Sequence, residues 1–410
     1  MFEFPGAPRV VDSQRRLALD RACELLGQVA GVSYYKAFLP PQIQFSAAGI
    51  SSARARFLQE TYEFGLAEFA HQNGISLRDK IRFPVGQGEV EPPPSLNWGD
   101  TVAVPVGGGK DSVVSLELAK SSASPVVSMQ VGSSPLIESV ISASGVPRVQ
   151  ILRRLSPNLK QINAEGALNG HVPVTGILSA AFLVASIWHD LGTVIMSNER
   201  SADAPNLIDQ HGTAVNHQYS KSLAFEQSFS RVVESEVVKG WRYFSLLRPL
   251  SELAIARLFA RHEAYFAVFS SCNRNFHLDG SRTSDRWCRN CPKCRFVFLA
   301  LANFVERDTL LSIFGGNLLD DQNQQAGFDA LIGAADHKPF ECVGEVAESR
   351  SALDALSART EWRDDYLIKR YLTEQKPKLP AAPPLQSHLG LADDHRVSAP
   401  WLADLKSALS

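Results

Sequence analysis

The alternation of short β-branched segments with helical segments after residue 100 is the feature that most restricts how this chain can fold. Four segments predict strands, at residues 101–106, 125–131, 149–152 and 193–197. Three segments with helical periodicity lie between them, at residues 112–120, 135–144 and 175–189. Strands joined by helices pair in parallel, because each helical crossover returns the chain to the same edge of the sheet. The sequence therefore predicts an α/β fold, with a parallel sheet and helices on both faces.

The regions on either side of these strands are predicted to be mainly helical. Asp12 and Ser13 are suited to cap a first helix, in which Cys23 is predicted to be a small buried residue. The longest apolar run, residues 176–188, is shorter than the roughly 20 residues of a membrane span. We divide the chain into an N-terminal helical region with a linker (1–99), the α/β domain (100–250), a helical region with a metal site (251–375) and a Pro-rich tail (376–410).

Charge and the N-terminal sequence restrict the partners of this protein. Lys and Arg number 41 against 43 Asp and Glu, which gives a formal net charge of -2. Nucleic-acid-binding domains usually carry an excess of basic residues, so no nucleic-acid partner is expected. Residues 1–11 lack the charged-then-apolar pattern of a secretory signal. We therefore expect a cytoplasmic protein without a membrane partner.

A glycine-rich turn connects the first predicted strand to the following helix. Its residues are Gly107, Gly108, Gly109, Lys110, Asp111 and Ser112. The glycines allow a tight turn that brings backbone N–H groups to phosphate oxygens, and the helix start favours negative charge. Asp111 is a candidate to hold Mg²⁺ or to orient the turn. The spacing differs from the Walker A and dinucleotide motifs, and a turn without a ligand is the alternative.

A cysteine cluster predicts a metal site in the C-terminal half. It contains four of the six cysteines: Cys272, Cys288, Cys291 and Cys294. Four thiolates form a closed tetrahedral set that suits structural Zn²⁺ and leaves no open position for a substrate. An iron–sulfur cluster uses the same ligands and remains the alternative. The basic residues around these cysteines are either a solvated rim of the metal site or a surface for an anionic substrate.

The glycine-rich turn resembles the pyrophosphate loop of the N-type ATP pyrophosphatases, Ser-Gly-Gly-x-Asp-Ser. This chain has Gly107 where that pattern begins with Ser. The resemblance implies a HUP-like fold and cleavage of ATP to AMP and pyrophosphate as a substrate oxygen is adenylated. It also implies that the second strand contacts adenine, near Met129 and Gln130.

Further segments resemble the UDP-N-acetylmuramoyl-L-alanyl-L-glutamate epimerase family of peptidoglycan synthesis. They are residues 104–112, 170–175, 197–200, 215–222, the cysteine cluster and 338–344. The resemblance implies an isomerase that inverts the terminal L-Glu of a UDP-muramoyl dipeptide and releases AMP and diphosphate. It also implies ATP, Mg²⁺ and structural Zn²⁺ as cofactors, and a role in cell-wall biogenesis, cell shape and cell division. The oligomeric state is left open.

Polar residues within these segments are candidates for the remaining roles. Glu199, after a strand, is either a base or metal ligand, or a carboxylate that caps a loop. His171 and His217 either bind phosphate or relay a proton, or are structural. Cys342 is a candidate acid or base for an α-proton, although the sequence favours an inert buried thiol. Asn198 is a further candidate for substrate binding, and so are Arg200 and Lys221, for which surface salt bridges are the alternative.

Two other classes of function remain open from the sequence. One is another N-type ATP pyrophosphatase, such as a 7-cyano-7-deazaguanine synthase or a tRNA-modifying enzyme. The balanced charge and the lack of a recognisable RNA-binding module argue against tRNA. The other is a non-catalytic regulatory protein that binds ATP and zinc. The pair Asp111 and Ser112 argues against it, because a turn kept only for its shape does not need them.

Overall fold

A computed structural model of the chain describes residues 1–6, 11–44, 49–86, 91–208, 212, 214–276, 285–335 and 339–410. The strands are β1 (Phe2–Glu3), β2 (Val102–Pro105), β3 (Val126–Val131), β4 (Arg148–Arg153), β5 (Thr193–Met196), β6 (Leu207–Ile208), β7 (Ala214–Val215) and β8 (Arg242–Ser245). The helices are α1 (Ser13–Ala30), α2 (Val32–Phe38), α3 (Ser52–Gly65), α4 (Ala67–Gln72), α5 (Lys110–Lys120), α6 (Pro135–Ser144), α7 (Leu159–Ala164), α8 (Val174–His189), α9 (Leu223–Val232), α10 (Glu252–Phe259), α11 (Pro292–Ala302), α12 (Arg307–Phe314), α13 (Gln325–Leu331), α14 (Val346–Ser357), α15 (Tyr366–Arg370) and α16 (Ala399–Leu409).

The main sheet has six strands in the order β1-β4-β3-β2-β5-β8. The predicted α/β fold is confirmed, because β4, β3, β2, β5 and β8 are parallel. The prediction of a wholly parallel sheet is wrong at one edge, where β1 pairs antiparallel with β4. β1 belongs to the region predicted to be mainly helical, and β8 was not predicted as a strand. Both are short, and backbone pairing with a neighbouring strand, rather than a repeating apolar pattern, determines them.

The sheet separates two hydrophobic cores, because successive side chains of a strand point to opposite faces. Val102 and Val104 of β2 belong to one core, with residues of α5, α6, α10 and α11. Ala103, between them, belongs to the other core, with residues of α1, α3, α8 and α9. The N-terminal helices therefore cover one face of the sheet and the C-terminal helices cover the other.

The strand order reverses between β2 and β5, and this reversal creates a crevice. From β2 the chain passes through α5 to β3 on one side, whereas it returns from β4 through α8 to β5 on the other side. In open α/β sheets, ligands bind at such a switch point, outside the carboxyl ends of the strands. The glycine-rich turn follows β2 at this edge, and Asn198 follows β5.

Of the two predictions for helix α1, one is correct and one is wrong. Asp12 caps α1 by accepting a hydrogen bond from the Arg15 backbone N–H at 2.7 Å. Cys23 lies in α1, but the prediction that it is buried is wrong, since its side chain is on the exposed face of the helix. After the Pro-rich segment, α16 packs back on the protein and buries Leu405. Among the described residues, no helix combines the length and the apolar character needed to cross a membrane.

Candidate active site

The glycine-rich turn is held in a conformation that side chains would disturb. Gly108 has φ of +86°, and a methyl group there would lie 2.5 Å from Leu136 Cδ2. Gly109 caps α5, and a methyl group there would lie 2.8 Å from Ser271 Oγ. A side chain at either position would displace Leu136 or Ser271, and the positive φ of Gly108 by itself favours glycine there. The turn places the N-terminus of α5, with its unpaired backbone N–H groups, at the crevice.

A cavity of about 380 Å³ lies at the switch point and is called the switch-point cavity. This volume is within the range of about 300–1,000 Å³ that is typical of small-molecule sites. The predicted site residues that line it are Gly107, Gly109, Asp111, Ser112, Met129, Asn198, Lys221 and Cys342. Lys293, one of the basic residues around the clustered cysteines, also lies in the wall, and so does Ser271, which was not singled out from the sequence.

Lys110 lies under the turn rather than in the cavity. Its side chain is fully buried, and its ammonium group contacts the carboxylates of Asp111 and Glu252. Burial lowers the pKa of Lys110, but Asp111 and Glu252 raise it more, so that the pKa is above its usual value. The Lys110 ammonium therefore anchors the turn from below.

Asp111 faces the cavity as a carboxylate. Its side chain is 22% exposed and lines the cavity wall. Burial raises the pKa of Asp111, but the ammonium groups of Lys110 and Lys293 lower it more, and the pKa is below its usual value. The residue therefore presents an ionised carboxylate beside the N-terminus of α5.

Cys342 lies in a second cluster of polar side chains in the wall of the cavity. The Lys221 ammonium donates to Cys342 Sγ at 3.0 Å, and His217 Nε2 lies 3.8 Å from the same sulfur. Asn206 Nδ2 donates to the Pro339 carbonyl, which turns Asn206 Oδ1 towards His217 Nδ1 at 2.8 Å. Because Oδ1 only accepts, Nδ1 carries a proton, and Nε2 is the ring nitrogen that faces the thiol.

A second cavity, of about 410 Å³, meets the first at Cys342 and is called the histidine cavity. It is lined by His171 and His217, and it shares Lys221 and Cys342 with the switch-point cavity. Burial, with smaller contributions from His217 and Lys221, lowers the pKa of His171 to about 4. His171 is therefore neutral near pH 7. Cys342 is partly exposed between two cavities, whereas the sequence favoured a buried thiol.

Three predicted site residues lie behind the cavity wall. Gln130 is fully buried and accepts a hydrogen bond from Arg148 at 3.1 Å. Glu199 is buried and accepts from Ser201 Oγ at 3.4 Å, and the Arg200 backbone N–H donates to Leu250. Burial lowers the pKa of Lys221, but Cys342 and Glu199 raise it more, so that Lys221 is an ammonium at neutral pH. Glu199 therefore affects the cavity wall through its influence on the pKa of Lys221.

The four clustered cysteines bring their sulfur atoms together and could hold a metal ion. All four Sγ atoms lie within 4.8 Å of one another, and Cys294 Sγ is 3.7 Å from Cys288 Sγ and 3.4 Å from Cys291 Sγ. Tetrahedral coordination with Zn–S bonds of about 2.3 Å separates the sulfurs by ~3.8 Å. The geometry fits a single ion. A multi-iron cluster would hold the ligands farther apart, because its own atoms fill the centre.

The segments that carry the four cysteines also shape the switch-point cavity. Ser271 precedes Cys272 and Lys293 precedes Cys294, so the metal-binding segments bring both side chains into the cavity wall. Their position next to predicted metal ligands was the available signal. No local signal pointed to Glu252, which reaches Lys110 from α10. An arginine and a lysine of the segments used in the sequence analysis lie outside the described residues. They are Arg282, a basic residue between Cys272 and Cys288, and Lys338, the first residue of the segment 338–344.

Two family models and several curated proteins match this chain. The MurL N-terminal domain matches residues 1–246, and the MurL C-terminal domain matches residues 268–385. Two relatives carry the name UDP-N-acetyl-alpha-D-muramoyl-L-alanyl-L-glutamate epimerase. The one from Xanthomonas oryzae pv. oryzae is 45% identical over 394 residues, which cover 96% of this chain and 87% of that protein. The one from Salinispora tropica is 46% identical over 362 residues, which cover 88% and 78%. The resemblance found in the sequence is confirmed, and the chain belongs to the UDP-N-acetyl-alpha-D-muramoyl-L-alanyl-L-glutamate epimerase family.

Proposed function

We propose that this protein is an ATP-dependent epimerase of peptidoglycan precursor synthesis. It converts the terminal L-Glu of UDP-N-acetylmuramoyl-L-Ala-L-Glu into D-Glu and releases AMP and diphosphate. The names of its relatives support the epimerase activity and the muramoyl dipeptide substrate. The observation that carries the proposal is the position of Cys342, between a cavity with a phosphate-binding turn and a cavity with two histidines.

The reaction needs ATP because an α-proton beside a carboxylate is hard to remove. Loss of that proton would place a second negative charge next to the first. In the proposed reaction a carboxylate oxygen attacks the α-phosphorus of ATP, the bond to the β-phosphate oxygen breaks, and diphosphate leaves. The resulting acyl adenylate has lost the carboxylate charge, so the α-proton becomes acidic enough for a side chain to remove. After the proton returns on the other face, water releases AMP.

The turn formed by residues 107–112 supports the first half of this reaction. The N-terminus of α5 and the ammonium groups of Lys221 and Lys293 are suited to phosphate, and Met129 lies in the wall where adenine is expected. Asp111 fits a Mg²⁺ ligand, because Mg²⁺ is usually held by one or two carboxylates together with substrate phosphates. Bound Mg²⁺ would offset phosphate charge. The doubly wound strand order also supports a HUP-like fold.

Cys342 is the proposed base for the α-proton. The Lys221 ammonium beside Sγ stabilises negative charge on the sulfur, and His217 Nε2 offers a lone pair for the thiol proton. A thiolate that accepts the α-proton becomes a thiol, which can also donate.

Structural Zn²⁺ is the proposed occupant of the four-cysteine site. All four ligands come from the protein, which leaves no open position for substrate. Zn²⁺ would then stabilise the fold of the segments that carry Ser271 and Lys293.

The proposal is tested by incubating the protein with ATP, Mg²⁺ and the L-Glu-terminated UDP-muramoyl dipeptide. We expect AMP, diphosphate and the D-Glu product to form in parallel, and AMP formation to depend on the dipeptide. A deazapurine carboxylate with ammonia is the matched alternative acceptor. AMP formed only with that acceptor would indicate a nitrile synthase, and no AMP with either would favour a non-catalytic protein.

A further inference from the structure

The hydroxyl of Ser271 is buried in the wall of the switch-point cavity without a partner. Ser271 is 8% exposed, and its Oγ atom has no hydrogen-bond partner among the described residues. Buried hydroxyl groups in folded proteins are usually satisfied by protein, water or ligand. Because Ser271 lines the cavity, a bound ligand can supply the missing acceptor.

The same hydroxyl lies directly beside the phosphate-binding turn. Ser271 Oγ would be 2.8 Å from a methyl group at Gly109, the residue that caps α5. The eleven-residue helix α5 directs its positive N-terminus to this point. An unpaired hydroxyl donor and an unpaired helix N-terminus therefore face the same small volume, and both favour an anion.

We infer that Ser271 donates its hydroxyl hydrogen to the diphosphate part of ATP, as a binding residue of the phosphate subsite. This inference rests on the use of ATP in the proposed function. The terminal phosphates are assigned because the hydroxyl lies over Gly109 and the start of α5, whereas Met129 marks the other part of the cavity wall. Another buried hydroxyl without a partner, that of Ser115 in α5, is not in the cavity wall.

The metal site fixes the position of this hydroxyl. The Ser270 backbone N–H donates to the Gly108 carbonyl at 3.0 Å and so ties the segment to the turn. Ser270 Oγ accepts from the Cys272 backbone N–H at 3.1 Å and donates to the Arg286 carbonyl at 2.6 Å. Cys272 follows Ser271 directly. The four-cysteine site therefore holds one wall of the phosphate subsite in place.

Calorimetric titration of the full chain, with Mg²⁺ present, tests the inference with Ser271→Ala and the matched control Ser115→Ala. Each change removes one buried, unpaired hydroxyl, but only the first is in the cavity. We expect Ser271→Ala to weaken binding of pyrophosphate and ATP by roughly 10- to 100-fold, as for a hydrogen bond to a charged group. Binding of AMP, which lacks the terminal phosphates, should be unchanged. Ser115→Ala should bind all three ligands as the unmodified protein does.

Metal content and thermal unfolding of both variants complete the test. The inference predicts that Ser271→Ala keeps its metal and melts close to Ser115→Ala. Loss of metal or of stability in Ser271→Ala would assign the hydroxyl to the fold and overturn the inference. Unchanged pyrophosphate affinity, or an equal loss for AMP, would overturn it as well. If the unmodified protein bound neither ATP nor pyrophosphate, that result would contradict the use of ATP in the proposed function. The role of Ser271 would then be overturned as well, because it rests on that use.

Discussion

Two groups of residues in the wall of the switch-point cavity, which we call the phosphate end and the thiol end, are built in different ways. The phosphate end is centred on one continuous segment, residues 107–112, which the strand before it and the helix after it place, and Ser271 and Lys293 join it from the segments that carry the cysteines. The thiol end is Cys342 with His217 and Lys221, and Cys342 is 121 residues from Lys221 along the chain. A local pattern determines the first end, whereas only the folded chain assembles the second. The comparison teaches that one cavity can combine a turn whose shape follows from a local motif with a cluster whose contacts form only in the folded chain.

The two ends also differ in how their groups are held. Backbone conformation and the buried contacts of Lys110 with Asp111 and Glu252 hold the phosphate end. Side-chain hydrogen bonds through Asn206 orient the thiol end. In the proposed reaction the phosphate end performs adenylation and the thiol end performs proton transfer. Variants should therefore separate the two steps.

Loss of the metal should disrupt both ends of the cavity at once. We therefore expect it to have the largest effect of the three changes. Cys291→Ser removes a ligand at the start of α11, whose Lys293 lines the cavity and also donates to the Cys342 carbonyl. Structural zinc contributes about 10 kcal/mol to folding in small zinc domains, so we expect a loss of roughly 5 kcal/mol or more. Denaturant unfolding and elemental analysis measure this. Full stability in a protein without metal would remove the structural role proposed for the four cysteines.

Asp111→Ala should abolish adenylation. The proton transfer that depends on adenylation should be lost with it. Removal of the cavity carboxylate proposed to hold Mg²⁺ should lower AMP formation by at least about 10³-fold, since such charge stabilisation is worth several kcal/mol. Inversion should fall in parallel, because the α-proton stays non-acidic without adenylation. AMP release and D-Glu formation are measured on the same samples, with thermal unfolding as the control for folding. Inversion that survives the loss of AMP formation would separate the epimerase activity from ATP.

Cys342→Ser should remove proton transfer and leave adenylation intact. It therefore tests whether the two ends of the cavity act separately. A hydroxyl is a much weaker base than a thiolate, and we expect inversion to fall by roughly 10²- to 10³-fold. AMP and diphosphate should still form, because the adenylate hydrolyses with its L configuration retained. Cys23→Ser is the matched control, since it alters an exposed thiol on α1. Equal losses of inversion and AMP formation in Cys342→Ser would mean that the two ends do not act separately.

The parts of the fold that the sequence predicted are those with a local cause. β2, α5 and the turn between them follow from an apolar strand, three glycines and a helix start. The cysteine cluster was recognised because three of its ligands lie within seven residues. Asp12 was recognised as a cap because its role depends only on its own turn of helix.

The parts that the sequence could not predict depend on distant segments. The contact of Cys342 with Lys221 requires the loop before α14 to reach the residues before α9. Glu252 meets Lys110 only because α10 packs against α5. Cys23 was misplaced because residue type alone cannot decide which face of α1 packs on α8. Burial of the neighbouring Ala22 leaves Cys23 on the outer face.

Deuterium incorporation at Cα is the most direct test of adenylation followed by proton transfer. The protein is incubated in D₂O with ATP, Mg²⁺ and the L-Glu-terminated UDP-muramoyl dipeptide, and the product is examined by mass spectrometry and NMR. The account predicts a D-Glu product that carries deuterium at Cα, with neither inversion nor exchange when ATP is omitted. It also predicts that Cys342→Ser forms AMP while its dipeptide keeps hydrogen at Cα. A D-Glu product that forms without AMP, or that exchanges at Cα without ATP, would contradict the account.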